Sequence, residues 1–275
     1  MKKALTCLLI WSWVVPREAL AEGLRAYEFP GKVSYRIEFR AKPESSDLQD
    51  RMVVYRNRKV LLDKSAYRFY LVDPKAAVPN LGLEEDEHAK IFDLTGNGIK
   101  DVIIGDWSGG AHCCYTYDIY ELDGRFSHLW HFSARNGHML TMNQQAPNKL
   151  PRLIVEDDTF RDWRSHVFDM PAIAVFWQGK RFVCDEEKTR ALNSIKVTPK
   201  LLHDLQNEHD KGSLEPGYNL LVRLYYSGNA KEARRLMSDF VSESETAQQL
   251  HTDFVKRLAE SKFFKEIKRM NGGTL

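Results

Sequence analysis

Beyond its first twenty residues the sequence lacks any apolar run near the ~18 residues a membrane-spanning helix requires. It also lacks an excess of charge. The 275 residues carry a formal net charge of +2, and the first 21 supply Lys2, Lys3 and Arg17 against Glu18. Without that segment, 37 basic and 37 acidic side chains remain. A balanced chain has no electrostatic footprint for nucleic acid or an anionic membrane, so neither is expected as a partner. There is no C-x-x-C, no H-x-x-x-H and no G-x-S-x-G. Zinc-ribbon, thioredoxin-like and serine-hydrolase readings therefore lose their usual signatures. No helix-period pattern of useful length precedes residue 186. What is present is globular composition, 43% hydrophobic and 28% charged, which excludes disordered and fibrous classes.

The N-terminus reads as an export signal. Lys2 and Lys3 precede the apolar stretch 4–15, Pro16 breaks it, and Ala19-Leu20-Ala21 places small residues where a signal peptidase reads them. Residues 1–21 are thus expected to be a signal peptide and the mature protein to begin at Glu22, in the periplasm or outside the cell. Calcium is plentiful there and thiols can oxidise.

The body of the chain alternates. In 33–39, Val33, Tyr35, Ile37 and Phe39 point one way and Ser34, Arg36 and Glu38 the other, the mark of a half-buried strand. Further strands are expected at 51–55, 59–62, 66–72, 101–105, 112–122, 126–132, 151–155 and 172–183. Asp123-Gly124 marks a hairpin. Pro74, Pro79 and the acidic run 84–87 mark a loop. After Cys184 the period changes. Thr198-Pro199 starts a helix that Gly212 ends. A second runs from Pro216 to Ser227-Gly228. A third starts at Asn229, with Glu232 completing a capping box. A fourth carries Leu250, Phe254 and Leu258, then Phe263, Phe264 and Ile267. The fold expected is α+β: an antiparallel β body over 22–185, partial propeller-like or a small sheet assembly, then a helical C-terminal region over 186–275. Residues 220–240 resemble one tetratricopeptide-type hairpin, but such repeats need about three copies to stack. A helical cap on the β body is expected instead.

The stretch Asp93-Leu-Thr-Gly-Asn-Gly-Ile-Lys-Asp101 carries the most chemistry. Side-chain oxygens fall at relative positions 1, 3, 5 and 9, on Asp93, Thr95, Asn97 and Asp101. Ile99 at position 7 offers a carbonyl. Gly96 and Gly98 let the backbone curl. Hard oxygen ligands on a tight loop are what Ca²⁺ takes. The loop leads into a strand, not an EF-hand helix, and position 12 is Ile104, so no acidic residue closes it. A metal-free turn, with Asp93 capping backbone amides, is the competing reading.

Loop and strand together resemble one FG-GAP or VCBS-type repeat, the unit of integrin-like propeller blades. The wider run 93–122, including Trp107-Ser-Gly-Gly-Ala-His-Cys-Cys114, and the segment 160–177 with Trp163 and Pro171, resemble a group of exported bacterial proteins of unknown function. The resemblance implies calcium at the loop and brings no activity with it. Thr95 and Asn97 stand where the family commonly has acidic residues. Two formal charges imply weak affinity, about 10⁻⁴ to 10⁻³ M. The β body, about 164 residues, is short for four blades of about 45 residues.

Cys113, Cys114 and Cys184 survive signal removal. One disulfide among them is expected, its pairing open; a bridge to Cys184 closes about 70 residues and is worth roughly 4 kcal/mol. His128 and His131, three apart on a strand, are expected on opposite faces. Trp107 and Trp163 are candidate anchors for a partner. The leading expectation is a non-enzymatic exported calcium-binding module with a protein or glycan partner. The first alternative is a periplasmic hydrolase, using Glu156, Asp157, Asp158 and Asp162 or a turn holding Asp106, Ser108 and His112. The second is a thiol-redox protein using Cys113 and Cys114.

Overall fold

The computed structural model describes residues 24–31, 33–41, 49–73, 91–110, 114–137, 140–143, 150–165, 170–241 and 245–275. The stretch 1–21 read as a signal, the stretch 74–87 read as a loop, His112 and Cys113 lie outside them.

Three four-stranded antiparallel sheets follow one another along the chain. The first is β1 (Leu24–Phe29), β2 (Tyr35–Ala41), β3 (Asp50–Arg56) and β4 (Lys59–Ala66). The second is β5 (Arg68–Leu71), β6 (Asp101–Trp107), β7 (Tyr115–Glu121) and β8 (Ser127–Arg135). The third is β9 (Leu140–Asn143), β10 (Arg152–Glu156), β11 (Ala172–Gln178) and β12 (Arg181–Cys184). Each is a meander in which sequence neighbours pair. Four-stranded sheets of this kind are the blades of propellers, which close with about four to eight. Among the described residues there are three, and helices follow them. The α+β class is as the sequence indicated.

The alternation read in 33–39 decides what the first sheet buries. Tyr35, Ile37 and Phe39 join Met52 and Val54, and pack on Phe69, Val102, Ile104, Tyr120 and Phe126 of the second sheet. The second sheet is buried on both faces. Its opposite side, with Tyr70, Ile103, Tyr117, Ile119 and Phe132, meets Leu153, Val155, Ile173 and Val175 of the third sheet and the helices. Strand β6 is therefore central, and Val102 and Ile103 are both 0% exposed.

Period changes where the sequence places it, between β12 and α1 (Glu186–Asn193). Then come α2 (Pro199–Asp210), α3 (Glu215–Tyr226), α4 (Ala230–Leu236), α5 (Ala247–Leu258) and α6 (Phe264–Met270). Thr198 caps α2 through Leu201 N (3.1 Å) with proline at the first turn. The capping box expected at Asn229 does not form. The Asn229 side chain donates instead to Ser227 Oγ, and Ala230 N is met by Asn271 Oδ1 at 2.8 Å, from beyond α6. Helix α1 was not expected as a separate element. It covers the stretch of β11 that β12 is too short to pair. Thr189 Oγ1 accepts from Ala174 N (3.0 Å), and the Asn193 amide both donates to and accepts from the Ala172 backbone. Those two side chains, four apart on one helix face, do the work of a strand and close a sheet edge.

Candidate functional site

Two glycines in the left-handed region curl the 93–101 loop, Gly96 at φ 75° and Gly98 at φ 82°. The curl turns backbone amides inward onto Asp93. Its Oδ1 accepts from Gly96 N at 2.6 Å and Asn97 N at 3.2 Å, and its Oδ2 from Gly98 N at 2.8 Å. Thr95 Oγ1 reaches the same carboxylate at 3.5 Å. Asn97 Oδ1 accepts from Ile99 N at 2.8 Å, and its Nδ2 donates to Glu121 Oε2. The backbone pair Phe92–Asp101 closes the loop, and Leu122 N donates to Lys100 O at 2.7 Å. The loop is thereby fixed to β7 as well as β6.

Asp101 is the first residue of β6 and is 0% exposed. Its Oδ2 accepts from Leu94 N at 2.7 Å, while its Oδ1 is buried without a hydrogen-bond partner. Burial pushes this carboxyl up to about 7. The Leu94 and Thr95 amides oppose the shift, and the charges of Glu121 and Asp93 add to it. Glu121, 9% exposed, lies directly opposite Asp101 in the β6–β7 register. Side chains of such a pair share one face about 5 Å apart, where like charges are unfavourable. The sequence offered no sign of Glu121, because strand pairing alone brings it to the loop.

Among the described residues, no group of three or more His, Cys, Asp or Glu side chains is arranged as a ready metal cage. Asp93 spends most of its acceptor capacity on amides. A carboxylate has about four lone-pair positions, and Asp93 Oδ2 has one recorded donor. This Oδ2 and the buried Asp101 Oδ1 both keep acceptor capacity.

The other candidates separate clearly. Trp107 is half-buried between Tyr67 (rings 5.1 Å apart) and Tyr115 (6.3 Å), with its Nε1 on Gly110 O at 3.2 Å. It remains a rim residue. Trp163 does not: it is 7% exposed, packed on Phe160, Tyr218 and Phe254, and its Nε1 donates to Asp253 at 3.1 Å. It anchors the helices onto the β body and offers no ligand platform.

Asp157 of the acidic cluster does the same. Asp157, 6% exposed, accepts from Thr159 N and Oγ1 on one oxygen and from Tyr226 OH and Ser261 Oγ on the other. Asp162 is solvated beside Arg161. Arg164 takes Glu245 through both terminal nitrogens and Asp253 at 2.9 Å. Asp157 and Arg164 thus join the β body to the helical region. In the other proposed hydrolase turn, Ser108 Oγ accepts from Cys114 N, and Asp106 accepts from Thr116.

Cys184 is a free thiol, so the 70-residue crosslink to it is not made. Burial pushes the thiol up to about 11, leaving it protonated and unreactive at neutral pH.

The two strand histidines overturn the face argument. A bulge in β8 sets Trp130 opposite Ile119 but His128 opposite Tyr120, leaving Leu129 as the extra residue. One extra residue resets the alternation. His128 Nε2 and His131 Nδ1 consequently meet the same Asp118 oxygen, at 2.8 and 3.0 Å. Lys64 of the first sheet adds a bond to Asp118 at 3.3 Å and one to Tyr120 at 3.2 Å. The cluster clamps two sheets where their apolar contact ends.

Comparison of the chain with protein-family models, curated proteins and solved structures finds no match. Among the described residues no helix is long and apolar enough to cross a membrane.

Proposed function

We propose that the protein is exported through its N-terminal signal and acts there as a non-enzymatic interaction module whose 93–101 loop takes up calcium. One observation carries the calcium reading: the carboxylate oxygen Asp101 Oδ1 is buried at the loop exit with no donor. Such an atom costs about 1–3 kcal/mol or more if left unmet. A hard cation answers that cost. Asp93 Oδ2 retains acceptor capacity, and Thr95, Asn97 and the Ile99 carbonyl belong to the same turn. The ion would fix the start of β6, the strand on which both cores rest. Trp107, at the other end of β6, gives the rim an aromatic contact for a protein or glycan partner. Of the acidic cluster, Asp157 is engaged by Tyr226 and Ser261 of the helical region, which weighs against its serving as a catalytic carboxylate.

Thermal melts test this. Calcium that binds only the folded state stabilises it by RT ln(1 + [Ca²⁺]/Kd), about 2.7 kcal/mol at one hundred times Kd. For a chain of this size that is roughly 5–10 °C. Asp93→Ala should remove most of the increment between chelator and calcium. It should also lower stability in chelator, since Gly96, Asn97 and Gly98 lose their acceptor. Equal wild-type melting points in the two conditions would leave the metal-free turn as the reading.

A further inference from the structure

The first sheet carries a cleft of about 620 Å³, within the ~300–1,000 Å³ of small-ligand sites. Strand register sets its floor. Glu28 of β1 and Tyr55 of β3 both pair directly with Arg36 of β2, so the three side chains share one face. One end is the turn between β3 and β4, Asn57-Arg58, which Asn57 N ties to Ser34 O at 3.1 Å. Every lining side chain is polar or a tyrosine, and none is aliphatic. The charges on the floor are already matched. Arg36 meets Glu28 at 2.7 Å and Glu38 at 2.6 Å, and Glu38 also takes Arg40.

Arg58 is different. It is exposed and lines the cleft, and among the described residues its side chain has no ion pair or hydrogen bond; the side chains of Ser34 and Asn57 have none either. The cleft thus offers one unmatched cation, a hydroxyl and an amide beside a tyrosine ring. Arg58 also sits at φ 68°, after Asn57 at φ 48°. A two-residue turn with both central residues left-handed ordinarily reads Asn-Gly, because only glycine adopts that conformation without strain. Arginine in glycine's place lowers the stability of the fold, and strain of that kind is retained at functional positions.

We infer that this cleft binds an acidic saccharide, whose carboxylate pairs with Arg58 and whose hydroxyls meet Ser34 and Asn57, with Tyr55 as the aromatic surface under the sugar ring. A guanidinium takes a carboxylate through two parallel hydrogen bonds. A peptide of the same charge would seek pockets for its alternate side chains, and this lining has no apolar one. The cleft shares no residue with the 93–101 loop or with Trp107, so the inference stands whether or not either of them takes a partner.

Calorimetric titration of the mature chain with a panel of uronic-acid oligosaccharides tests it, with the methyl esters of the same sugars and oligo-aspartate for comparison. Chelator is present throughout, so calcium plays no part. At least one uronate should bind with Kd near or below about 1 mM, and its ester at least about tenfold more weakly. Arg58→Gly should weaken binding of the acid at least about tenfold and melt at or above wild type, because glycine suits the turn. Failure of the whole panel to bind overturns the inference. So does an ester as tight as the acid, oligo-aspartate as tight as the sugar, or an Arg58→Gly Kd within about threefold of wild type. An Arg58→Gly chain that melts below wild type shows that Arg58 is kept for the fold, and overturns it as well.

Discussion

Asp157→Ala should destabilise the protein by roughly 3–5 kcal/mol, because it strands donors on both sides of the junction between sheets and helices. The carboxylate has four donors. Thr159 N and Oγ1 lie at 3.1 and 2.5 Å on one oxygen; Tyr226 OH at 2.8 Å and Ser261 Oγ share the other. Tyr226 is 0% and Ser261 7% exposed, so water does not replace what is lost. Two or more buried donors without an acceptor cost about 1–3 kcal/mol each, and the missing side chain leaves a small void besides. With about 2–4 °C per kcal/mol for a chain of this length, the melting point should fall by about 10 °C. Asp157→Asn keeps the shape and one acceptor oxygen, and the hydroxyls of Tyr226 and Ser261 can rotate to accept from the new amide. It should cost less, about 1–2 kcal/mol. Urea denaturation in chelator measures both without interference from calcium. A loss below about 1 kcal/mol for the alanine variant would refute the view that the acidic cluster is committed to structure.

Thiol counting on denatured, unreduced mature protein should give one free thiol; with Cys184 free, the expected bridge falls to Cys113 and Cys114, and three free thiols would refute it. Gly105→Ala in β6 should cost about 1–3 kcal/mol by overpacking, since a Cβ there runs into the Tyr70 ring; an unchanged urea midpoint would contradict that contact. Burial works to raise the Glu38 carboxyl, but hydrogen bonds from Arg40 and Arg36 outweigh it and hold the group below its usual value. A depressed carboxylate contributes stability that is present at neutral pH and lost as pH falls through its folded value. The stability gap between wild type and Glu38→Gln should therefore be widest near pH 6–7 and shrink below pH 4, and a gap independent of pH would refute the pairing.

Where burial is one-sided, the sequence was easy to read. The alternation in 33–39 named Tyr35, Ile37 and Phe39 correctly as a core face, with Val33 packed at its margin, and the helix starting at Thr198-Pro199 forms as read. Short edge strands were not legible. β1 has the burial pattern of a half-exposed edge, and its mixed side chains give no clean alternation. The run 172–183 looked like one strand, yet it folds back at Gly179, whose φ of 68° makes the turn between β11 and β12. Helix α1 was hidden because what it buries is polar, Thr189 and Asn193, with no apolar stripe. At the site, spacing found Asp93 and Asp101 but not the opposite strand, because register is a property of pairing and not of local sequence. The bulge at Leu129 left no mark either, and it alone decides that His128 and His131 share a face.

The central claim is that the loop holds one calcium ion and that Asp101 is indispensable to it. Equilibrium dialysis of the mature protein against buffered calcium up to 10 mM, with the bound metal quantified per chain, measures this directly. Wild type should saturate at one ion with a Kd in the range of about 10⁻⁴ to 10⁻³ M, and Asp101→Asn, folded in chelator, should bind none over the same range. A wild-type chain that stays metal-free throughout, or an Asp101→Asn chain that saturates like wild type, would contradict the account.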